Sequence, residues 1–325
     1  MAQYVVVKMS KTESQLPYPA NFEEFIQWFA TESDCESYLE RLRWPDGFQC
    51  PKCTASNAWK TERSLWHCRE CSHQTSVTAG TVFDSTRKPL RLWFHVAWLM
   101  MSHKTGLSAR TLCDTFGFGS YQTAWGWLHK YRSVMIRQGR ESLEDRVEVN
   151  EAYIGGAKTG KRGRGAEGKT MVLVAVEGQK NAPQRVRFRC VSSAQKNCLL
   201  QFVSDYVSSG STVVTDGLLA YNGLEDAGYK HERHVTSGDS AELEHVGHAH
   251  LVVSLLKRWL EGTHQGAIRP AHLQSYLDEF AFRFNRRLSD HRGKLFYRLI
   301  QQAITTRPPG IKEFYTTRPQ DVVVT

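Results

Sequence analysis

Four cysteines constrain this chain more than any other feature. Cys50-Pro-Lys-Cys53 and Cys68-Arg-Glu-Cys71 form the pattern C-x2-C-x14-C-x2-C. Each pair can present two thiolates from one tight turn, and four thiolates complete a closed tetrahedral zinc shell, which is structural and not catalytic. The surrounding stretch, residues 48–84, is too short and polar to fold on a core of its own, so Zn2+ binding supplies the folding energy. His67 and His73 lie beside the cysteines but have no place in a shell that sulfur already fills. Cys35, Cys113, Cys190 and Cys198 are scattered, which suits a reducing, cytoplasmic setting better than a disulfide scaffold.

Charge narrows the class of partner. The 325 residues carry a net charge of +9, a balance that favours an anionic polymer. The charge is uneven. Residues 1–49 hold four Lys/Arg against eight Asp/Glu, residues 85–140 hold nine Lys/Arg against Asp114 alone, and residues 158–169 hold five against Glu167 alone. The last block, which includes Lys161, Arg162 and Arg164, reads as a loop touching a nucleic-acid backbone electrostatically. The longest apolar run, Leu90–Met101, is interrupted by Arg91 and His95 and is too short to span a bilayer, so no membrane role is expected.

Hydrophobic spacing predicts a helix over 21–43 and an all-helical stretch over 88–138, broken at Gly106 and at Gly117–Ser120. Within the latter, Ser108 is placed to cap a helix with Leu112, Cys113 and Phe116 on its apolar side. Ser120 is placed to cap a second helix with Ala124, Trp127, Leu128 and Tyr131 buried. Two short helices around a Gly turn fit a helix-turn-helix, the second helix reading double-stranded DNA. Gln122, Thr123, His129, Lys130 and Arg132 would then face phosphates or bases.

From Val147 the pattern changes to short β-branched runs at 147–154, 171–177, 185–191 and 211–215, with helices at 195–207, 244–261 and 270–286. This order predicts an α/β domain with a mixed sheet. Two strands end in polar residues. VEVNEAYIGG carries Asn150-Glu151, and TVVTDGLLAY carries Asp216 before a Gly turn. The helix HLVVSLLKRWL carries His250 and, two turns on along one face, Lys257. Two strand ends and one helix can converge at a sheet edge.

Together, the CPKC and CREC pairs, VEVNEAYIGG, VVTDGLLAY, SLLKRWLEGTHQG and YLDEFAFRFNRR resemble the insertion-sequence transposases that join a zinc ribbon to a DDE-type, RNase H-like catalytic domain, the ISXO-two-like group. The resemblance covers roughly residues 20–305. It implies a multidomain chain: an N-terminal helical segment (1–47), a zinc ribbon (48–84), a helix-turn-helix region (85–140), an α/β RNase H-like mixed-sheet domain (145–305) and a tail (306–325). It further implies a DNA transposase that binds terminal inverted repeats and cleaves and joins strands with two Mg2+ or Mn2+ ions. Its partners would be transposon ends and target DNA, on which it forms a homo-oligomer, and its setting a bacterial cytoplasm in association with the nucleoid.

Carried over by position, the first catalytic acid falls on Asn150, the second on Asp216, the third ligand on His250 and the helix cation on Lys257. The later N-R-R falls on Asn285, Arg286 and Arg287, with Arg283, Arg286 and Arg287 placed to meet phosphate. Asn150 departs from the family's VEVDE. An amide brings no charge to a hard cation that depends on carboxylates, so impaired catalysis is expected. Glu148 shares the strand face of position 150 but sits a full repeat back, and Glu151 faces the other way. Glu242 and Glu244 precede the helix, and His245 and His248 read as surface residues. The alternative is a non-catalytic, domesticated DNA-binding protein.

Overall fold

Local capping signals set the first helices of the computed structural model, which describes residues 17–137, 139–155, 169–179, 182–234, 247–266, 268–308, 310 and 314. The expected single helix over 21–43 is two, α1 (Phe22–Trp28) and α2 (Glu32–Arg43). The break follows from a capping box: Thr31 accepts the Asp34 N–H while the Asp34 carboxylate accepts the Thr31 N–H, and this restarts the helix.

The cysteine-bearing segment forms a three-stranded antiparallel sheet of β1 (Ala58–Lys60), β2 (Trp66–Cys68) and β3 (Gln74–Thr75). Helix α3 (Leu90–Ser102) follows. Its first N–H groups, at Leu90 and Arg91, are accepted by the two carboxylate oxygens of Glu32 at 2.6 and 3.1 Å, so an acid from α2 satisfies orphan donors of α3. Helices α4 (Ala109–Phe116) and α5 (Tyr121–Arg132) flank Gly117, which closes α4 in the left-handed conformation at φ +62°. Ser108 caps α4 as expected, accepting the Thr111 N–H at 3.0 Å. Ser120 holds the N-cap position of α5 without accepting a helix N–H.

The α/β half contains β4 (Arg146–Ile154), β5 (Thr170–Gln179), β6 (Ala182–Val191), α6 (Lys196–Tyr206), β7 (Thr212–Thr215), β8 (Lys230–Arg233), α7 (Gly247–His264), α8 (Pro270–Phe284) and α9 (Arg292–Thr305). The five-stranded sheet runs β6-β5-β4-β7-β8. Its first three strands are antiparallel, while β4, β7 and β8 are parallel. This is the mixed sheet expected of an RNase H-like domain.

Alternation along the strands sorts side chains to two faces. Val147, Val149, Leu173, Ala175 and Val213 pack under α6 with Leu199, Phe202 and Val203. Val172, Val174, Val176, Val186 and Phe188 pack under α7 and α8 with Ala249, Val252, Leu256, Leu273 and Leu277. Helix α9 joins neither face. Its Leu295, Phe296, Leu299 and Ile300 enter the N-terminal core with Phe25, Phe29 and Phe94. The last helix thus completes the first domain's core.

Candidate functional site

The zinc ribbon is built from two equivalent turns. Thr54 N–H donates to Cys50 O at 2.9 Å and Ser72 N–H to Cys68 O at 3.0 Å. Thr54 and Ser72 both take positive φ, 63° and 58°. The four ligand sulfurs lie within 4.8 Å of one another, with Cys50–Cys71 at 3.6 Å and Cys53–Cys68 at 3.5 Å. A tetrahedron of roughly 2.3 Å Zn–S bonds has edges of about 3.8 Å, so these thiols fit a structural zinc. The ribbon's inner face is fixed to α2: Trp66 Nε1 donates to Glu40 at 3.0 Å, and Lys60 pairs with the same carboxylate at 2.8 Å.

At the sheet, β4 and β7 run parallel with Glu148 opposite Val214 as their last paired position. Continuing that register by two residues sets Asn150 level with Asp216, which follows the end of β7. Asn150 lies on the face covered by α7, beside its partner Val174. Asn150 is 7% exposed and its Oδ1 accepts the Glu151 N–H at 2.7 Å. Asp216 is half-buried. Its Oδ1 accepts the Leu218 N–H at 3.2 Å, in a turn that Gly217 permits at φ +84°. Glu151 does face the opposite side, where it accepts the hydroxyl of buried Tyr221 at 2.6 Å.

Helix α7 is tied to this strand by Glu148, a carboxylate 5% exposed. One oxygen accepts the Ala249 N–H at 2.8 Å, and the other lies 3.1 Å from His248 Nδ1. Burial pushes the Glu148 carboxyl above its usual range, against the opposing pull of the Ala249 N–H and His248. His248, expected at the surface, is half-buried because it packs against Gly178 of β5 and Glu148. His250 and Lys257 sit on the exposed side of α7, away from buried Ala249, Val252 and Leu256. Glu242, Glu244 and His245 lie outside the described residues.

These donors do not fit a carboxylate-rich pair of divalent cations. Asn150 is neutral, and Glu148 is committed to the α7 N-terminus. Among the described residues, the four cysteines are the one group of at least three His, Cys, Asp or Glu ligands with mutually close atoms.

The expected DNA contacts divide. Gln122 and Thr123 are exposed on the first turn of α5. Lys130 is half-buried, with Nζ 3.4 Å from Val82 O and 5.7 Å above the Trp93 ring, and burial lowers its pKa. Arg132 and His129, read from sequence as DNA-facing, are each 1% exposed. Arg132 instead pairs with fully buried Glu279 of α8 at 2.7 Å and lies over Tyr276. Arg286 and Arg287 are also turned inward. Arg286 donates to Phe282 O and stacks on that ring. Arg287 donates to the carbonyls of Pro183, Gln184 and Phe284.

Arg283 donates to the carbonyls of His103 and Lys104, so it too is committed to the protein. Asn285 bridges the Val186 N–H and C=O, pinning the end of α8 to β6. The N-R-R run is thus a staple between helix and strand. Lys161, Arg162 and Arg164 lie outside the described residues.

Comparison with known proteins adds sequence relatives. Residues 142–285 match the ISXO2-like transposase domain, and residues 30–74 match the transposase zinc-ribbon domain. A protein of Halobacterium salinarum, "Uncharacterized protein in transposable element ISH50", is 27% identical over 282 residues, 79% of this chain and 92% of that one. Among solved structures, a chain of the simian T-cell lymphotropic virus intasome in complex with PP2A regulatory subunit B56 gamma is 14% identical. The match spans 53% of this chain and 63% of that chain, with a TM-score of 0.27.

Proposed function

Because this chain belongs to the ISXO2-like transposases that carry a transposase zinc ribbon, we propose that it is an insertion-sequence transposase that binds the ends of its element but is impaired in cutting them. The observation that carries the reading is the pairing of β4 with β7. Glu148 and Val214 close that pairing, position 150 lies two residues further along β4 and Asp216 two residues past Val214, and position 150 is an amide where a carboxylate would be needed. Asn150, Asp216 and His250, with Lys257 behind them, are the proposed remnant of the site for Mg2+ or Mn2+. One carboxylate in place of two weakens any hard-cation site.

The DNA-facing surface is proposed to be the first turn of α5, where Gln122 and Thr123 are exposed, supplemented by the block at 158–169. Groove-reading helices contact base edges with their N-terminal residues. Lys130 is proposed to add a phosphate contact from the rim. Assembly of two or more copies on paired ends and a nucleoid-associated cytoplasmic setting belong to the same proposal.

The test is a cleavage and strand-transfer assay on element-end DNA with Mg2+ or Mn2+, comparing the chain as it stands with Asn150→Asp. The impaired-transposase reading expects products from the Asp variant and few or none from the parent. Full activity in the parent would overturn the impairment. Binding without products in either protein would favour a domesticated binder, the second reading, which the commitment of Glu148 to α7 supports.

A further inference from the structure

One exposed face of the zinc ribbon lies apart from the four cysteines and from the contacts with Glu40 of α2. The register of its three strands sets Trp59 opposite His67 and His67 opposite Gln74, so the three side chains form one row across the sheet. The alternate row holds Cys68 and Trp66, which face the ribbon core and α2. The Trp59 row therefore points away from the protein.

Trp59 is 43% exposed, although it is among the largest apolar surfaces a side chain can offer. It is already stacked: the Trp59 and His67 rings lie 4.1 Å apart at 15°, and the Arg69 guanidinium sits 5.3 Å from the Trp59 ring centre. Gln74 Nε2 lies 3.1 Å from His67 Nδ1 and holds the imidazole in that plane. Arg69, Gln74 and Asn57 are exposed at the margin.

We infer that this row is a stacking platform for unpaired bases of a DNA single strand. Every base has a π-face to add to the Trp59–His67 stack, and a guanidinium at the rim suits both a ring face and the neighbouring phosphate. No aliphatic side chain belongs to the row, as a docking helix or a second copy would require, and the exposed Arg69 guanidinium beside Trp59 suits a polyanion. This inference rests on the DNA-processing role proposed above and adds a separate contact to it. The first turn of α5 would hold paired DNA, while the ribbon holds bases that strand opening releases.

The experiment measures fluorescence anisotropy of the full-length, zinc-loaded chain with two probes, labelled oligo-dT and a fully paired duplex of equal length. Trp59→Ala should weaken oligo-dT binding about tenfold, in line with the worth of one stacked base. Trp59→Phe should recover most of that loss, and duplex binding should stay within about twofold. Zinc content of each variant reports that the ribbon is intact. Unchanged oligo-dT affinity in a zinc-replete Trp59→Ala variant would overturn the inference, as would an equal loss on both probes. Absence of duplex binding in the parent chain would instead sink the end-binding proposal and leave the oligo-dT comparison standing.

Discussion

Two residues in the zinc turns work against their own backbone. Thr54 and Ser72 follow the second cysteine of each pair at φ 63° and 58°. A non-glycine residue there loses about 1–2 kcal/mol to contact between Cβ and the backbone. Thr54→Gly should therefore stabilise the ribbon by about 1 kcal/mol and slow zinc loss to a chelator. Ser72→Gly should act in the same direction. Faster zinc release from either variant would show that the side chains, and not the turns, hold the site. Glu148 offers a second check. Glu148→Ala leaves the Ala249 N–H without its acceptor, so hydrogen exchange over the first turn of α7 should accelerate, with α8 unchanged.

At the scale of elements, α5 and α8 meet through the buried pair Arg132–Glu279. Removing one partner strands a charge, so Glu279→Gln should cost about 3–5 kcal/mol in chemical denaturation, and Arg132→Met/Glu279→Leu together should recover much of it. The pair also shows what spacing can and cannot reveal. Ala124, Trp127, Leu128 and Tyr131 are buried as their helical period requires. Arg132 reads as surface because a charge is normally solvated, and its partner lies 147 residues away. The N-R-R run misleads likewise, since its acceptors are backbone carbonyls of β6 and of α8 itself, which no side-chain pattern records. Strands β4 to β7 were legible because their β-branched runs are local, whereas β8, the four polar residues Lys230–Arg233, was missed and the Glu148–Ala249 link joins positions 101 apart.

For the whole molecule, the junction between the helical and α/β halves holds buried polar side chains, among them His129, Arg132 and Glu279. His129 and His264 are held below the ordinary imidazole value, first by burial and then by Arg132, with His264 lowered to about 3. The unfolded chain takes up protons near 6.5 that the folded chain refuses, so this contribution is complete above about pH 6.5 and is lost as pH falls toward 3. Half-buried Asp278, raised to about 7 by desolvation, acts in the opposite sense. The clean comparison is therefore between the parent and His264→Gln, which share Asp278. Between about pH 8 and about pH 5 the parent should lose more melting temperature than the variant. Parallel curves would remove His264 from the account.

The return of α9 to the N-terminal core bears on how the protein is made. A domain that closes within its own segment can fold while the ribosome is still at work. Here Phe25, Phe29 and Phe94 lack Phe296 until α9 has been translated, so a nascent chain that stops short of α9 should stay protease-sensitive in its N-terminal core. Products stopped before α9 would then be cleared as unfinished chains.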